Sequence, residues 1–195
     1  MLFEHEGDNR SGKTFLMAVW AFFDWLRGRR VYANCRKDPA MPGGYDCFLN
    51  FPHWHYDPEY LYYMGDVKNC TVITDESTEY MDARKSGKDE VLELGYWGKQ
   101  ATKQDIDWHW DNVFHEETEK RIRKKWHFQI RTTRIPKDPN KPLVAIKVES
   151  RSRYNAMFKR AYFPSLQWLG AGIGIDSFFP IYNDSATIRR RILET

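Results

Sequence analysis

The chain opens on a short stretch, LFEHE, over residues 2–6, two apolar residues followed by three polar ones. This predicts a β-strand that enters a glycine-bearing loop almost at once. Residues 14–27 then read TFLMAVWAFFDWLR, which is too long and too uniformly apolar for a surface helix with one buried stripe. The pattern predicts a helix covered on more than one side, with Gly28 as its C-cap. RVYANC (30–35) predicts a second strand, and CTVITD (70–75) predicts a strand buried enough to tolerate little charge. Residues 106–111 predict a fourth. Residues 38–66, rich in Pro, Gly, Tyr and His, predict an irregular excursion with one helix near 58–64.

The second half has a different rhythm. Residues 77–104 predict helix interrupted at Gly87, Gly95 and Gly98, and 115–125 a short charged helix. Residues 126–134 and 143–151 alternate in polarity and flank the turn sequence IPKDPNKP, the pattern of a β-hairpin. The tail holds one more candidate strand at 178–182 and a basic end at 189–191. Strands alternating with helices predict an α/β fold of three layers, helices on both faces of a mostly parallel sheet. The hairpin adds antiparallel strands at one edge. The 195 residues suit a single domain, with the basic hairpin and C-terminal extension covering about 126–195.

Composition narrows the setting. No run of 18 apolar residues exists, and the start lacks a basic n-region followed by an apolar stretch, so neither a bilayer span nor a signal peptide is expected. The expectation is a chain in the host cytoplasm or in an assembly made there. Three cysteines (Cys35, Cys47, Cys70) without a CxxC pair predict reduced thiols. Residues 1–118 carry 13 Lys+Arg against 21 Asp+Glu, whereas residues 119–160 carry 14 against 3. That asymmetry predicts a polyanionic partner, with a solvated basic face as the alternative.

Residues 7–14, Gly7, Asp8, Asn9, Arg10, Ser11, Gly12, Lys13 and Thr14, match the phosphate-loop pattern G-x-x-x-x-G-K-[ST] without a mismatch. Gly7 and Gly12 let successive backbone N–H groups point inward as an anion nest. The following helix adds its positive end, and Phe15 in its first turn is counted with residues 7–14 among the candidate nucleotide-binding residues. In this chemistry Lys13 reaches the β- and γ-phosphates of ATP and the Thr14 hydroxyl ligates Mg²⁺. The strand before the loop and the helix after it supply the context that the motif requires.

Asp75 and Glu76 end the 70–75 strand. Adjacent carboxylates at a strand tip repel, and a cation offsets that cost. Asp75 is the candidate Mg²⁺ ligand and Glu76 the candidate general base for an attacking water. The alternative for this pair is a helix N-cap region, where acids suit the dipole. Lys13 and Asp75 are 62 residues apart with one strand unit between them, which favours an ATPase with an additional strand, RecA-like, over a compact nucleoside kinase.

Two further groups stand out. His53-Trp54-His55, with Asp57 nearby, offers two imidazoles without a third ligand at convincing zinc spacing from Cys47, and reads as a structural loop. Trp108-His109-Trp110 reads as core or subunit interface rather than a base-stacking platform.

These motifs together resemble the FtsK/HerA superfamily of DNA-translocating ATPases, in particular the small genome-packaging ATPases of membrane-containing viruses and the zonula-occludens-toxin-like phage proteins. The matching pieces are GDNRSGKT, GRRVYANC, TVITDESTEYMDARKS, ETEKRIRKK and FFPIYNDSATI. Tyr80 and Arg84 match the aromatic and arginine that often follow the acidic pair. The resemblance implies a homo-oligomeric ring, expected to be a hexamer, with ATP at subunit interfaces and double-stranded DNA in the pore. It also implies packaging into a capsid, beside capsid, portal or membrane-vertex proteins. An arginine from a neighbour then completes the site, with Arg121 and Arg123 as first candidates and Arg84 next; a surface salt bridge is the alternative for each. The family's polar sensor falls at Asp111 or Asn112, where the usual Gln is missing. Lys85, Lys88, Lys137 and Lys141 are candidate phosphate contacts. The absence of a membrane segment favours the packaging branch. A nucleotide-gated assembly switch or another translocase or helicase of this fold is the runner-up.

Overall fold

A computed structural model describes residues 1–9, 11–37, 39–40, 44–58, 61, 67–85, 87–135, 143–150 and 159–163. The strands are β1 (Leu2–Glu6), β2 (Arg30–Ala33), β3 (Arg36–Lys37), β4 (Tyr45–Asp46), β5 (Trp54–His55), β6 (Cys70–Thr74), β7 (Ile106–Asn112), β8 (Phe128–Ile135), β9 (Leu143–Ser150) and β10 (Lys159–Phe163). The helices are α1 (Lys13–Leu26), α2 (Thr78–Met81), α3 (Asp89–Lys103) and α4 (Lys120–Arg123). The main sheet runs β10-β9-β8-β1-β7-β6-β2-β5. From β8 through to β5 every neighbouring pair is parallel. The β8–β9 and β9–β10 pairs are antiparallel. A separate two-stranded piece joins β3 to β4.

The order of the central strands matters for function. β7 lies between β1, which feeds the phosphate loop, and β6, which ends beside the acidic pair. Parallel alignment brings the carboxyl ends of β1, β6, β7 and β8 to one edge, where open α/β sheets bind ligands.

Strand alternation assigns the two faces. Thr71 and Ile73 point toward α1, while Cys70 and Val72 point toward α3. On the first face Met17, Ala18 and Ala21 pack on Val31, Ala33 and Ile73. Phe48, Leu49 and Phe51 join this cluster from the excursion, with Phe22 and Trp25 packed against it. This second cover explains why α1 is apolar almost all round. On the other face Val91, Leu94, Trp97 and Ala101 pack with Val72, Ile106 and Trp108. Trp108 and Trp110 are fully buried core residues, with ring centroids 4.9 Å apart.

Several expectations shift. α3 runs unbroken through Gly95 and Gly98, and a side chain at Gly98 would have its Cβ 3.2 Å from the Trp108 ring. That glycine serves close helix–sheet packing and does not end the helix. The helix expected at 115–125 is a 3₁₀ turn (His115–Glu117) followed by α4, divided where Glu119 caps α4 by accepting from the Arg121 and Ile122 amides. The expectation of reduced thiols is corrected for two cysteines. The excursion folds back so that Cys47 meets Cys35, and the two are joined as a disulfide with Cα atoms 4.7 Å apart. Cys70 remains a buried free thiol. Most of the helix expected at 58–64 lies outside the described residues, as do the strand at 178–182 and the basic end. No helix among the described residues is long and apolar enough to cross a membrane.

Candidate functional site

The loop after β1 needs glycine at two places. A Cβ on Gly7 would fall 2.4 Å from the Thr132 carbonyl oxygen and 2.6 Å from Ser11 Oγ, so the loop lies directly against β8. Gly12 has φ 94°, in the left-handed region that glycine adopts without steric cost, and it caps α1. Ser11 Oγ and Thr132 Oγ1 share a 2.8 Å hydrogen bond that fastens the loop to β8. Asp8 and Asn9 are exposed, Phe15 packs against the α1-face core, and Arg10 lies outside the described residues.

Lys13 is buried, and its ammonium donates to the Gly7 and Asp8 carbonyls at 2.7 and 3.1 Å. The cation is thereby held inside the curl of the loop, where phosphate oxygens would replace carbonyl oxygens as its partners. Beneath the loop, His5 Nε2 and His109 Nδ1 are 3.0 Å apart, and burial holds both imidazoles neutral, His109 pushed down to about 3.

The Thr14 hydroxyl donates a 2.8 Å hydrogen bond to Asp75 Oδ1. Two segments 61 residues apart thus meet at the mouth of the loop. Asp75 is buried, and burial, followed by the nearby Asp111 carboxylate, raises its proton affinity well above the usual carboxylate range. Burial likewise raises that of Asp111, against the pull of Lys13. Glu76 is exposed and has φ 51°, a left-handed conformation that costs a non-glycine residue about 1–3 kcal/mol and persists where the surroundings enforce it.

These carboxylates are held from behind. Asn34, at the end of β2, accepts a 2.8 Å bond from the Asp75 amide and donates a 2.8 Å bond to the Asp75 carbonyl. The Ser77 amide donates to Asp111 Oδ1 at 3.1 Å, and the Ser77 hydroxyl donates to the Asp111 carbonyl. Asn34 was not anticipated; its one signal is a polar side chain directly after an apolar strand.

The remaining candidates are dispersed. Asn112 donates at 2.9 Å to both Glu4 and Thr118, so its amide is engaged inside the sheet end, while Asp111 is the member of the pair that faces Asp75. Glu4 also meets His115 at 2.8 Å and Gln129 at 3.0 Å. Arg84 forks onto Asp82 at 2.8–3.1 Å from an exposed position. Arg121 sits 3.7 Å from Glu119, and Arg123 is half-buried. The segments that precede Arg84 and Arg121 meet, since Asp82 bridges to Thr118 and the Glu119 amide donates to the Met81 carbonyl. Lys85 donates to the Glu79 carbonyl; Lys137 and Lys141 lie outside the described residues.

A second surface lies between α3 and α4. Tyr96, Lys99, Arg121, Lys124 and Lys125 line an open groove of about 570 Å³. With Leu92 and Gly95 also in its wall, four of the seven lining residues are cationic, and Tyr96 is 61% exposed with the Lys99 ammonium 5.7 Å from its ring centroid.

The donor set fits a nucleotide and a divalent ion. A buried carboxylate with elevated proton affinity, a hydroxyl beside it and an ammonium across from it are the parts that hold Mg²⁺ and triphosphate in phosphate-loop proteins. Comparison with solved structures bears on the frame that carries them. The N-terminal domain of zonular occludens toxin from Neisseria meningitidis superposes with a TM-score of 0.59 at 16% identity, covering 93% of this chain and 98% of that one. The genome packaging NTPase B204 from Sulfolobus turreted icosahedral virus 2, in complex with ATP-γS, gives 0.55 at 10% identity, covering 82% and 95%. The flagellar accessory protein FlaH from Methanocaldococcus jannaschii gives 0.54 at 14% identity, covering 85% of each chain.

The chain shares the fold of these three structures.

At such identities the likeness is one of fold, and the chemistry rests on the residues described above. No protein-family model matches the chain, and no curated protein sequence matches it.

Proposed function

We propose that this P-loop protein is an ATP-hydrolysing motor that moves double-stranded DNA, acting in viral genome packaging as a homo-oligomeric ring, most simply a hexamer. The observation that carries the nucleotide reading is the Thr14–Asp75 contact at 2.8 Å beside the Lys13 ammonium. In this reading the loop amides and Lys13 bind the β- and γ-phosphates, and Thr14 and Asp75 hold Mg²⁺. The ion neutralises charge on the phosphates when bound. Glu76 orients a water and accepts its proton as the water attacks the γ-phosphorus, giving ADP and phosphate. An arginine from the adjacent subunit, drawn from Arg121, Arg123 or Arg84, stabilises the charge on the transferring group, an effect of about 10³–10⁵ in rate. The polar sensor is drawn from Asp111 and Asn112, with Asp111 favoured because it faces Asp75.

DNA enters the proposal through charge. The basic α3–α4 groove and the excess of cations after residue 118 suit a polyanion held by its phosphates, without base readout. The similarity in fold to a genome packaging NTPase supports the same reading. The test is the ATPase rate with and without duplex DNA across a salt series. Stimulation by DNA that fades steeply as salt rises is expected. A rate indifferent to DNA at low salt overturns the motor and points to a nucleotide-gated switch.

A further inference from the structure

The excursion between β2 and β6 gathers side chains that the nucleotide site does not use. Cys35 Sγ lies 3.5 Å from His53 Nε2. The His53 and His55 rings meet edge-on with centroids 4.9 Å apart. One ligand atom from each of Cys35, His53 and His55 lies within 4.8 Å of the others. Cys47 is covalently attached to Cys35, so a second sulfur stands at the same point. In sequence these four residues are separated by 12, 6 and 2 positions, a spacing that conceals their convergence.

We propose that Cys35, Cys47, His53 and His55 form a tetrahedral zinc site that loads when the two cysteines are reduced. Two thiolates and two imidazoles are a common structural zinc set, with Zn–S about 2.3 Å and Zn–N about 2.0–2.1 Å. Those bond lengths place ligand atoms about 3.3–3.8 Å apart at the corners of a tetrahedron. The three atoms already within 4.8 Å need small rotations to reach it, and opening the disulfide frees the fourth.

His53 is set up for this role by its other nitrogen. Its Nδ1–H donates to the Phe51 carbonyl at 2.7 Å, which fixes the tautomer and leaves the Nε2 lone pair facing the Cys35 sulfur. Ligating histidines usually have such an outer-shell acceptor.

The chemistry balances with a thiol reductant. The disulfide and two reductant thiols give two cysteine thiols and one oxidised reductant disulfide. Binding Zn²⁺ then releases the two thiol protons. The chain therefore has two closed forms of this corner, one held by a sulfur–sulfur bond and one by metal. The disulfide ties the end of β2 to the segment after β4, and the metal form would add β5, an edge strand of two residues. This inference does not depend on the nucleotide reading.

The experiment uses the full chain, stripped of metal and compared in its disulfide form and after treatment with a dithiol reductant. The reduced chain is expected to take up one Zn²⁺, and the disulfide form to bind at least about 100-fold more weakly. Co²⁺ in place of zinc should show tetrahedral ligand-field bands with thiolate-to-cobalt charge transfer. Cys47→Ser and His53→Ala should each weaken binding by more than the roughly 10–100-fold that loss of an outer-shell partner costs. His55→Cys, which keeps four ligands, should retain binding and intensify the charge transfer. Absence of charge transfer in the reduced unmutated chain overturns the site whatever the variants do. So does equal zinc affinity in the reduced chain and in Cys47→Ser.

Discussion

Asn34 and Asp75 grip each other through two 2.8 Å hydrogen bonds, the Asn34 amide pairing with the backbone of Asp75. The strand-end carboxylate is thus aimed by a residue from the neighbouring strand. Asn34→Ala should leave the fold intact at a cost of about 1–3 kcal/mol for the unsatisfied backbone groups. It should also lower Mg²⁺-dependent ATPase activity about 10–100-fold, as loss of an outer-shell support does. Steady-state rates across a Mg²⁺ titration check this, and unchanged Mg²⁺ dependence would remove Asn34 from the site.

Asp75 predicts a trade between stability and function. Its folded proton affinity is raised, so in the absence of metal the ionised form is destabilised in the fold. That penalty is absent below the unfolded carboxylate pKa of about 3.9, grows as pH rises from there to the elevated folded value, and is complete above it. Asp75→Asn should therefore raise the metal-free Tm, by about 2–4 °C for each kcal/mol relieved, with the gain shrinking as pH falls toward 4. The same variant should lose Mg²⁺ binding. The difference between variant and parent is the quantity to measure, because the neutral His5–His109 pair destabilises the fold below about pH 6.5 in both.

Lys13→Ala should abolish tight ATP binding while leaving the fold in place, since the ammonium's present partners are loop carbonyls. Calorimetric titration decides it, and an unchanged affinity would contradict the phosphate-loop assignment.

Glu76→Gln should bind ATP as tightly as the parent and hydrolyse it about 10²–10⁴-fold more slowly, the usual scale of a general base. Single-turnover hydrolysis beside a binding isotherm separates the two effects. Full turnover in this variant would exclude Glu76 from proton transfer.

Gly7→Ala should destabilise the chain by about 2–3 kcal/mol, because the new methyl would sit 2.4 Å from the Thr132 carbonyl. Thermal melting of the nucleotide-free chain reads this directly.

What could be read in advance follows from how local each signal is. Gly7 to Thr14 and Asp75-Glu76 are contiguous patterns, and strand alternation sufficed to place both at one sheet edge. Gly98 misled because its role is set by Trp108, a contact that helix propensity does not register. The role of Asn34 is hidden for the same reason, its partner being 41 residues away, and its place after an apolar strand is a faint signal beside that. Cys35 and His53 stand 18 positions apart without a zinc-like spacing, and the excursion's fold-back is what joins them.

The tight seat of Gly7 against Thr132 has a mechanical consequence. With no room for even a methyl group between them, the loop cannot absorb a displacement of β8 by local give. β8 continues by ladder hydrogen bonds into β9 and β10, strands from the cationic part of the chain. A shift of that outer edge toward the loop therefore has to carry the Gly7 backbone with it.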